Sequence, residues 1–193
     1  MIMRQTMKGG LVVLLLVLVG TGTARAQDGG THTLKIDPAA SEITYAMSHP
    51  MHDWTGTSRK VSGTILVDDA GRVVGGTVQA PVLSFDSGNE NRDSHMAEVV
   101  EFYLYPDVRF EADSVRYEAA PDSAVVYGRL SLHGVTRPVA VPVRIEAASG
   151  GLLLEGAFDV TVTEFDMKLP SLLGIKTKDW IGVRFTLKTV PAG

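Results

Sequence analysis

Residues 139–162 read VAVPVRIEAASGGLLLEGAFDVTV, and this stretch decides the fold class. Apolar side chains recur at nearly every second position on both sides of Ser149-Gly150-Gly151, which has the composition of a tight turn. A period of two is typical of half-buried β-strands, because successive side chains of a strand point to opposite faces of the sheet. The stretch therefore predicts two antiparallel strands with one apolar face each. The apolar positions are Val139, Val141, Val143, Ile145, Leu152, Leu154, Phe158, Val160 and Val162.

The same period runs through the chain from Thr31 onward, in eight or nine segments. Turn signals separate several of them, including Asp68-Asp69-Ala70-Gly71, Pro121-Asp122-Ser123 and Gly134-Val135-Thr136. Connections this short join antiparallel neighbours, since a parallel crossover takes a dozen residues or more. The chain is therefore predicted to be all-β. Its other alternating apolar faces contain Ile43, Tyr45, Met47, Val61, Ile65, Val67, Val108, Phe110, Ala112, Ile181, Val183, Phe185 and Leu187.

One segment, Asn91 to Phe102, departs from this period. Its apolar residues fall on roughly one helical face. Asn91 is available to cap the first turn, and the carboxylate of Asp93 is favourable there. We therefore expect one short helix. The residues of its apolar face are Met96, Val99, Val100 and Phe102.

Strands with one apolar face each must bury those faces against one another. A sandwich of two sheets and a closed antiparallel barrel both do so economically. An eight-stranded barrel has an interior that side chains can just fill or that can hold one small ligand. Several inward positions are small or medium-sized, including Val61, Gly63 and Ala112, which leaves room inside. The pattern alone does not separate a packed core from a lined cavity.

The first 26 residues have the three regions of a secretory signal peptide. A basic stretch contains Arg4 and Lys8, an apolar run extends from Leu11 to Val19, and Ala24-Arg25-Ala26 has the form of a cleavage site. The alternative is a membrane anchor, but the apolar run is well short of the roughly 20 residues that a spanning helix needs. We therefore predict cleavage, a single mature domain over residues 27–193, and a periplasmic or secreted location.

Composition narrows the class of partner. Residues 27–193 hold 15 Lys and Arg against 22 Asp and Glu, a formal net charge of −7. Nucleic acid and an anionic membrane surface are therefore not expected as partners, because both are bound through an excess of basic side chains. The sequence contains no cysteine, so no disulfide framework stabilises the domain. Burial of apolar surface must do so alone.

Three motifs carry a family resemblance. The first is SGNENRDSHM at residues 87–96, followed by YPDVRF at 105–110, and the second is LSLHGVTRPV at 130–139. The third is IDP at 36–38 with SEI at 41–43. Together they resemble the signature of the YceI family, whose members are lipid-binding and usually periplasmic. The resemblance covers about residues 33 to 190.

The resemblance implies an extended, lipocalin-like antiparallel barrel of about eight strands around a long apolar molecule. A polyisoprenoid, an isoprenoid quinone or a fatty-acid derivative would be such a partner, and no cofactor is expected. Membrane contact is expected only transiently, during ligand exchange, and the oligomeric state is left open. The predicted apolar cavity residues are Tyr45, Met47, Ile65, Val108, Phe110, Val143, Phe158, Val160, Val183 and Phe185, and the predicted polar mouth residues are His49, Trp54, Arg92, Asp93 and His95.

Two parts of the predicted mouth admit more than one interpretation. Arg92, braced by Asp93, can hold a polar head group; alternatively Asp93 caps the helix and Arg92 ties it to the barrel rim, which we favour. The segment HPMHDW at residues 49–54 departs from the commonest form of the family, which has a single histidine there. Residues 170–174, with Leu172 and Leu173, are expected to form a loop that with the helix makes the mouth that admits ligand; alternatively the two leucines pack on the end of the barrel.

Three other function classes are weaker hypotheses. His49 and His52 can approach one metal ion only if a turn lies between them, since positions three apart on a strand face opposite ways. A filled β-sandwich would act as an interaction module through an exposed apolar patch. The sequence contains none of the common catalytic motifs: it has no Gly-x-Ser-x-Gly elbow, no His-Glu-x-x-His and no cysteine nucleophile. We therefore expect a binding protein and not an enzyme.

Overall fold

The computed structural model describes residues 30–120, 122–172 and 174–192, with Leu172 described in its backbone only. The predicted signal peptide and the side chains of Leu172 and Leu173 lie outside the described residues. Antiparallel strands make up most of the described chain. In chain order the elements are β1 (Thr31–Ile36), β2 (Glu42–His49), β3 (His52–Ser58), β4 (Ser62–Asp68), β5 (Val73–Pro81), β6 (Phe85–Asp86), α1 (Glu90–Val99), β7 (Asp107–Tyr117), β8 (Ser123–Leu132), β9 (Val135–Ala148), β10 (Gly151–Val160), β11 (Ser171–Leu172), β12 (Ile175–Lys176) and β13 (Ile181–Pro191), with short 3-10 helices at Pro38–Ala40, Val82–Ser84 and Val162–Phe165.

Eight strands form a closed antiparallel barrel in the order β1-β4-β5-β7-β8-β9-β10-β13, and pairing of β13 with β1 completes the ring. The predicted barrel of about eight strands with a short helix is confirmed. A two-sheet sandwich, the alternative left open by the pattern, is not the observed architecture.

One edge of β13 is shared by two partners. Toward its C-terminal end β13 pairs with β1, where Ile36 lies opposite Thr189. Toward its N-terminal end it pairs with β2, where Ala46 lies opposite Gly182. The chain passes between the two partners at Ser41, whose buried hydroxyl accepts a hydrogen bond from the Lys188 amide over 3.0 Å. The sheet then continues from β2 through β3 to β6, so the wall extends beyond the eight-stranded ring.

The inward-facing apolar side chains form two clusters that lie toward opposite ends of the barrel. One contains Ile65, Leu154 and Leu187, and the other contains Val160 and Phe165. Three further residues pack against both clusters and link them, namely Phe110, Val139 and Phe158. The alternation predicted for the strands therefore describes which side chains face inward.

The helix α1 runs from Glu90 to Val99, not from Asn91 to Phe102 as predicted. Its N-cap is Asn89, whose side-chain oxygen accepts a hydrogen bond from the Arg92 amide over 3.1 Å, and this replaces the predicted cap at Asn91. The segment after the helix turns at Glu101, which adopts a left-handed φ of 53°. No helix in the described part of the chain is long and apolar enough to cross a membrane.

The segment predicted as a loop over residues 170–174 is in part a two-stranded ribbon. β11 pairs with β12, and Ser171 lies opposite Lys176. The Thr177 amide donates to the Pro170 carbonyl over 2.9 Å, which holds the two segments antiparallel. The loop prediction is therefore corrected for the described residues of this segment.

Substitution of Gly156 tests how tightly the wall is packed. A Cβ at this position would lie about 2.5 Å from both the Phe185 ring and the Pro142 carbonyl oxygen. Because the second neighbour is backbone, we expect Gly156→Ala to lower the free energy of unfolding by about 1–3 kcal/mol, measured by urea denaturation.

The matched control is Gly75→Ala, where the nearest atoms, on Leu66 and Ala112, would be 3.7 and 3.8 Å from the new Cβ. This change is expected to be neutral or to stabilise the protein by up to about 1 kcal/mol. Equal losses of stability in both variants would contradict the packing interpretation.

Candidate functional site

The barrel encloses a cavity of about 240 Å³. Its lining comes from every ring strand except β1, from β2, β3 and β6, and from α1. Along β13 the lining residues run from Ile181 to Leu187, which is about 20 Å of strand at roughly 3.3 Å per residue. The interior is therefore an elongated cavity and not a fully packed core.

The ten residues predicted for the cavity wall all line this space. Whether they contact a ligand stays a prediction. Several of them keep part of their surface accessible although they point inward, because they border the cavity instead of packed neighbours. The ten residues are Tyr45, Met47, Ile65, Val108, Phe110, Val143, Phe158, Val160, Val183 and Phe185.

Aromatic rings of the wall lie against glycines on neighbouring strands. Tyr45 is opposite Gly56, and Phe185 is opposite Gly156. At each glycine a Cβ would collide with the ring, so the ring occupies the place that a second side chain would take. This pairing keeps ring volume close to the wall and leaves the middle of the barrel open. The sequence signal for it is a glycine inside an apolar strand pattern.

Several cavity residues were not predicted. Some of them lie in α1 or in short segments, where a period of two carries little information; others, such as Val126 and Leu130, lie on ring strands. Helical periodicity identified the apolar face of α1 but not its position over the cavity. The unpredicted lining residues include Val82, Phe85, Met96, Val99, Val100, Met167 and Pro170.

Basic side chains occur at one end of the cavity. Among the described residues of the lining they are Arg92 and His95, both on α1. The Arg92 guanidinium carbon lies 5.9 Å from the centre of the Trp54 ring, within cation–π range. Arg92 also donates from Nε to the Ser87 hydroxyl over 2.8 Å and from Nη2 to the Ser87 carbonyl over 2.9 Å. Arg92 therefore ties the helix to the wall, as the favoured structural interpretation predicts.

Asp93 does not line the cavity, which corrects its predicted place at the mouth. Its carboxylate accepts hydrogen bonds from the amide of Ser87, over 3.1 Å to Oδ2, and from the Ser87 hydroxyl. Because Asn89 is the helix cap, Asp93 instead fastens the first turn of α1 to the segment that follows β6.

His49 does not line the cavity either, which corrects its predicted place at the mouth, and its side chain is buried with an exposure of 4%. Its Nε2 group donates to the Ile175 carbonyl over 3.0 Å, and its Nδ1 accepts from the Met51 amide over 3.2 Å. The ring is therefore the neutral Nε2–H tautomer, and both nitrogens are engaged.

The metal hypothesis required a turn between His49 and His52, and the structure contains one, with ring centres 5.7 Å apart. However, the hydrogen bonds of His49 occupy both nitrogens that would bind an ion. Within the described ranges, no three or more His, Asp or Glu side chains are grouped to hold a metal ion.

The hydroxyl of Tyr45 is an unusual polar atom in this setting. It is shielded from solvent, and no group among the described residues accepts a hydrogen bond from it; the Trp54 indole N–H, which can only donate, acts on its oxygen. Burial raises the pKa of Tyr45 above its ordinary value; the Asp93 carboxylate raises it further, whereas Arg92 and the Trp54 indole act in the opposite direction. The phenol is therefore a neutral hydrogen-bond donor at neutral pH.

Comparison with known proteins relates this site to a family. The model of the YceI-like domain matches residues 34–189. A UPF0312 protein of Azotobacter vinelandii is 29% identical over 134 residues, which cover 66% of this chain and 66% of that protein. The alignment thus spans about two thirds of the relative's length.

Two solved structures have the same fold. BcnA of Burkholderia cenocepacia superposes with a TM-score of 0.70 at 20% identity, covering 79% of this chain and 98% of BcnA. A polyisoprenoid binding domain from Saccharophagus degradans, implicated in plant cell wall breakdown, has a TM-score of 0.64 at 14% identity and covers 84% of this chain and 99% of that domain. At such identities the likeness shows the fold alone.

Removal of the Asp93 carboxylate tests how α1 is fastened over the cavity. Asp93→Ala leaves the Ser87 amide without its acceptor, which costs about 1–3 kcal/mol. We expect faster hydrogen exchange in residues 90–99 and unchanged exchange in β13, measured by mass spectrometry.

Glu98→Ala is the control on the same helix, because the Glu98 side chain is 76% exposed and its nearest partner, His95, is 3.9 Å away. It is expected to leave the exchange nearly as in the wild type. If the two variants exchange alike, Asp93 is not the fastening residue.

Proposed function

The chain belongs to the family of YceI-like domains, and on that premise we propose that it is a binding protein that encloses a long apolar ligand. A polyisoprenoid, an isoprenoid quinone or a fatty-acid derivative would be such a ligand. The elongated apolar cavity carries the proposal. The structural likeness to the polyisoprenoid binding domain of Saccharophagus degradans supports this class of ligand.

Burial supplies the driving force for such binding. Each methylene moved from water into the cavity gains about 0.8 kcal/mol, so about twenty carbons offer on the order of 16 kcal/mol before costs. Association and ordering costs remove several kcal/mol or more. The remainder favours a complex that persists through purification. An apolar wall discriminates weakly between chains, which suits carriage, storage or sensing of a lipid and does not require turnover.

The alternative, an interaction module that uses its outer surface, has less support. Ion pairs cover the outer face of β7 and β8, where Arg129 contacts Glu111 over 3.1 Å and Asp113 over 2.6 Å. Apolar exposure is greater beside α1, where Tyr103 is 88% and Leu104 is 68% exposed. These two residues support transient contact with a lipid surface while ligand is exchanged.

Two adjacent residues of β13 offer a matched test of the cavity. Val183 lines it, whereas Arg184 points outward and is exposed. The Val183→Trp indole would occupy part of the space that the ligand fills, so this change is expected to weaken lipid binding by roughly ten- to a hundredfold. Arg184→Trp adds the same side chain outside and is expected to retain the ligand.

The measurement is solvent extraction and mass spectrometry of the purified proteins, with native mass spectrometry for stoichiometry. The wild type and Arg184→Trp are expected to release stoichiometric lipid, and Val183→Trp is expected to release little. A wild type without lipid that also fails to take up added apolar chains would overturn the proposed function.

Export to the periplasm or the medium is part of the proposal and rests on the sequence of residues 1–26. Expression of the full chain with its leader is expected to yield an exported protein that begins at Gln27. Intact mass and N-terminal sequencing check this, and Arg25→Pro next to the cleavage site should leave a longer, membrane-retained product. Mature protein found only in the cytoplasm would exclude export.

A further inference from the structure

The polar end of the cavity is rich in hydrogen-bond donors. The Tyr45 side chain lines the cavity, and its buried hydroxyl finds no acceptor for its proton among the described residues. The neighbouring Trp54 and Arg92 side chains offer N–H donors and no acceptor. Buried polar groups in proteins are nearly always paired, so a hydroxyl proton without an acceptor at a ligand cavity calls for an acceptor on the ligand. The chemistry that completes this group is an oxygen acceptor.

The charges around the hydroxyl favour a neutral acceptor over an anionic one. Arg92 and Asp93 both act on the hydroxyl electrostatically, with opposite signs, and both are held by Ser87. An anionic head group would gain from Arg92 but would be opposed by Asp93. It would also lose its hydration in an apolar cavity, whereas a carbonyl oxygen loses much less.

We propose that Tyr45 is a specificity-determining residue whose hydroxyl donates a hydrogen bond to a neutral carbonyl oxygen at one end of the bound apolar chain. The proposal rests on the proposed function, because it presumes that the cavity holds an apolar ligand. The hydrogen bond from Tyr45 also sets the orientation of that ligand in the cavity. The carbonyl end lies beneath α1 beside Trp54, and the hydrocarbon extends toward Leu154 and Leu187 at the other end of the barrel.

The test compares ligands with and without the acceptor. Protein freed of lipid is loaded with the neutral fluorescent probe N-phenyl-1-naphthylamine, which 2-octadecanone, octadecane or octadecanoate then displaces. Tyr45→Phe keeps the ring and removes the hydroxyl. We expect it to weaken 2-octadecanone binding about tenfold, the worth of one buried hydrogen bond, and to leave octadecane binding unchanged or slightly stronger.

Tyr117→Phe is the matched control. The Tyr117 hydroxyl donates to the Val73 carbonyl over 3.3 Å at the opposite end of the barrel, so its loss is expected to change the affinity for neither ligand. Octadecane affinity also reports that Tyr45→Phe is folded.

Three other results would contradict the proposal. If Tyr45→Phe changes the affinities for 2-octadecanone and octadecane equally, the hydroxyl does not recognise the ligand and a buried water serves it instead. If octadecanoate binds wild type more tightly than 2-octadecanone at neutral pH, the acceptor is an anion. If none of the three chains displaces the probe, the proposed function fails together with this inference.

Discussion

The divided edge of β13 is the constraint on which the rest of the structure depends. A barrel strand normally has one neighbour on each side, but β13 pairs with β10 on one side and with both β1 and β2 on the other. The first of these two pairings closes the ring. The second continues the sheet through β2, which carries Tyr45, to β3, which carries Trp54, and to β6, which lies against α1. Closure of the barrel and construction of the polar end are therefore set by one strand.

The cavity persists because glycines in its wall leave less side-chain volume in the interior than a packed core would have. Apolar interiors normally fill to the density of organic crystals, and side chains collapse into available space. Here the rings of Tyr45 and Phe185 lie over Gly56 and Gly156, where the absence of a Cβ leaves room for them. The strands to which they belong are hydrogen-bonded on both edges and have little freedom to move inward. Backbone pairing of the wall thus helps to keep the lumen open between the two apolar clusters.

Periodicity predicted much of the fold, because strands with one wet face alternate regularly. It placed Val143, Val160 and Phe185 facing inward, and the family resemblance predicted that this apolar interior contains a cavity. It did not place Asp93 and His49 correctly. The sequence near a predicted mouth is the same whether such a side chain faces the lumen or forms hydrogen bonds to the chain outside it. The partners that decide this, Ser87 and Ile175, are fixed only by the folded chain. Periodicity within single strands also does not predict that β13 pairs with both β1 and β2 along one edge.

The shared edge of β13 has a consequence for how the chain folds. Ile36 and Thr189, which face each other where the ring closes, are 153 positions apart in sequence. Contacts of such separation slow folding, because the entropy of closing a long loop is lost before the pairing compensates for it. During synthesis the edges of β1 and β2 that pair with β13 have no partner until β13 emerges from the ribosome. A chain that delays its final closure in this way stays longer in an unfolded, threadable form and depends more on chaperones until the last strand arrives.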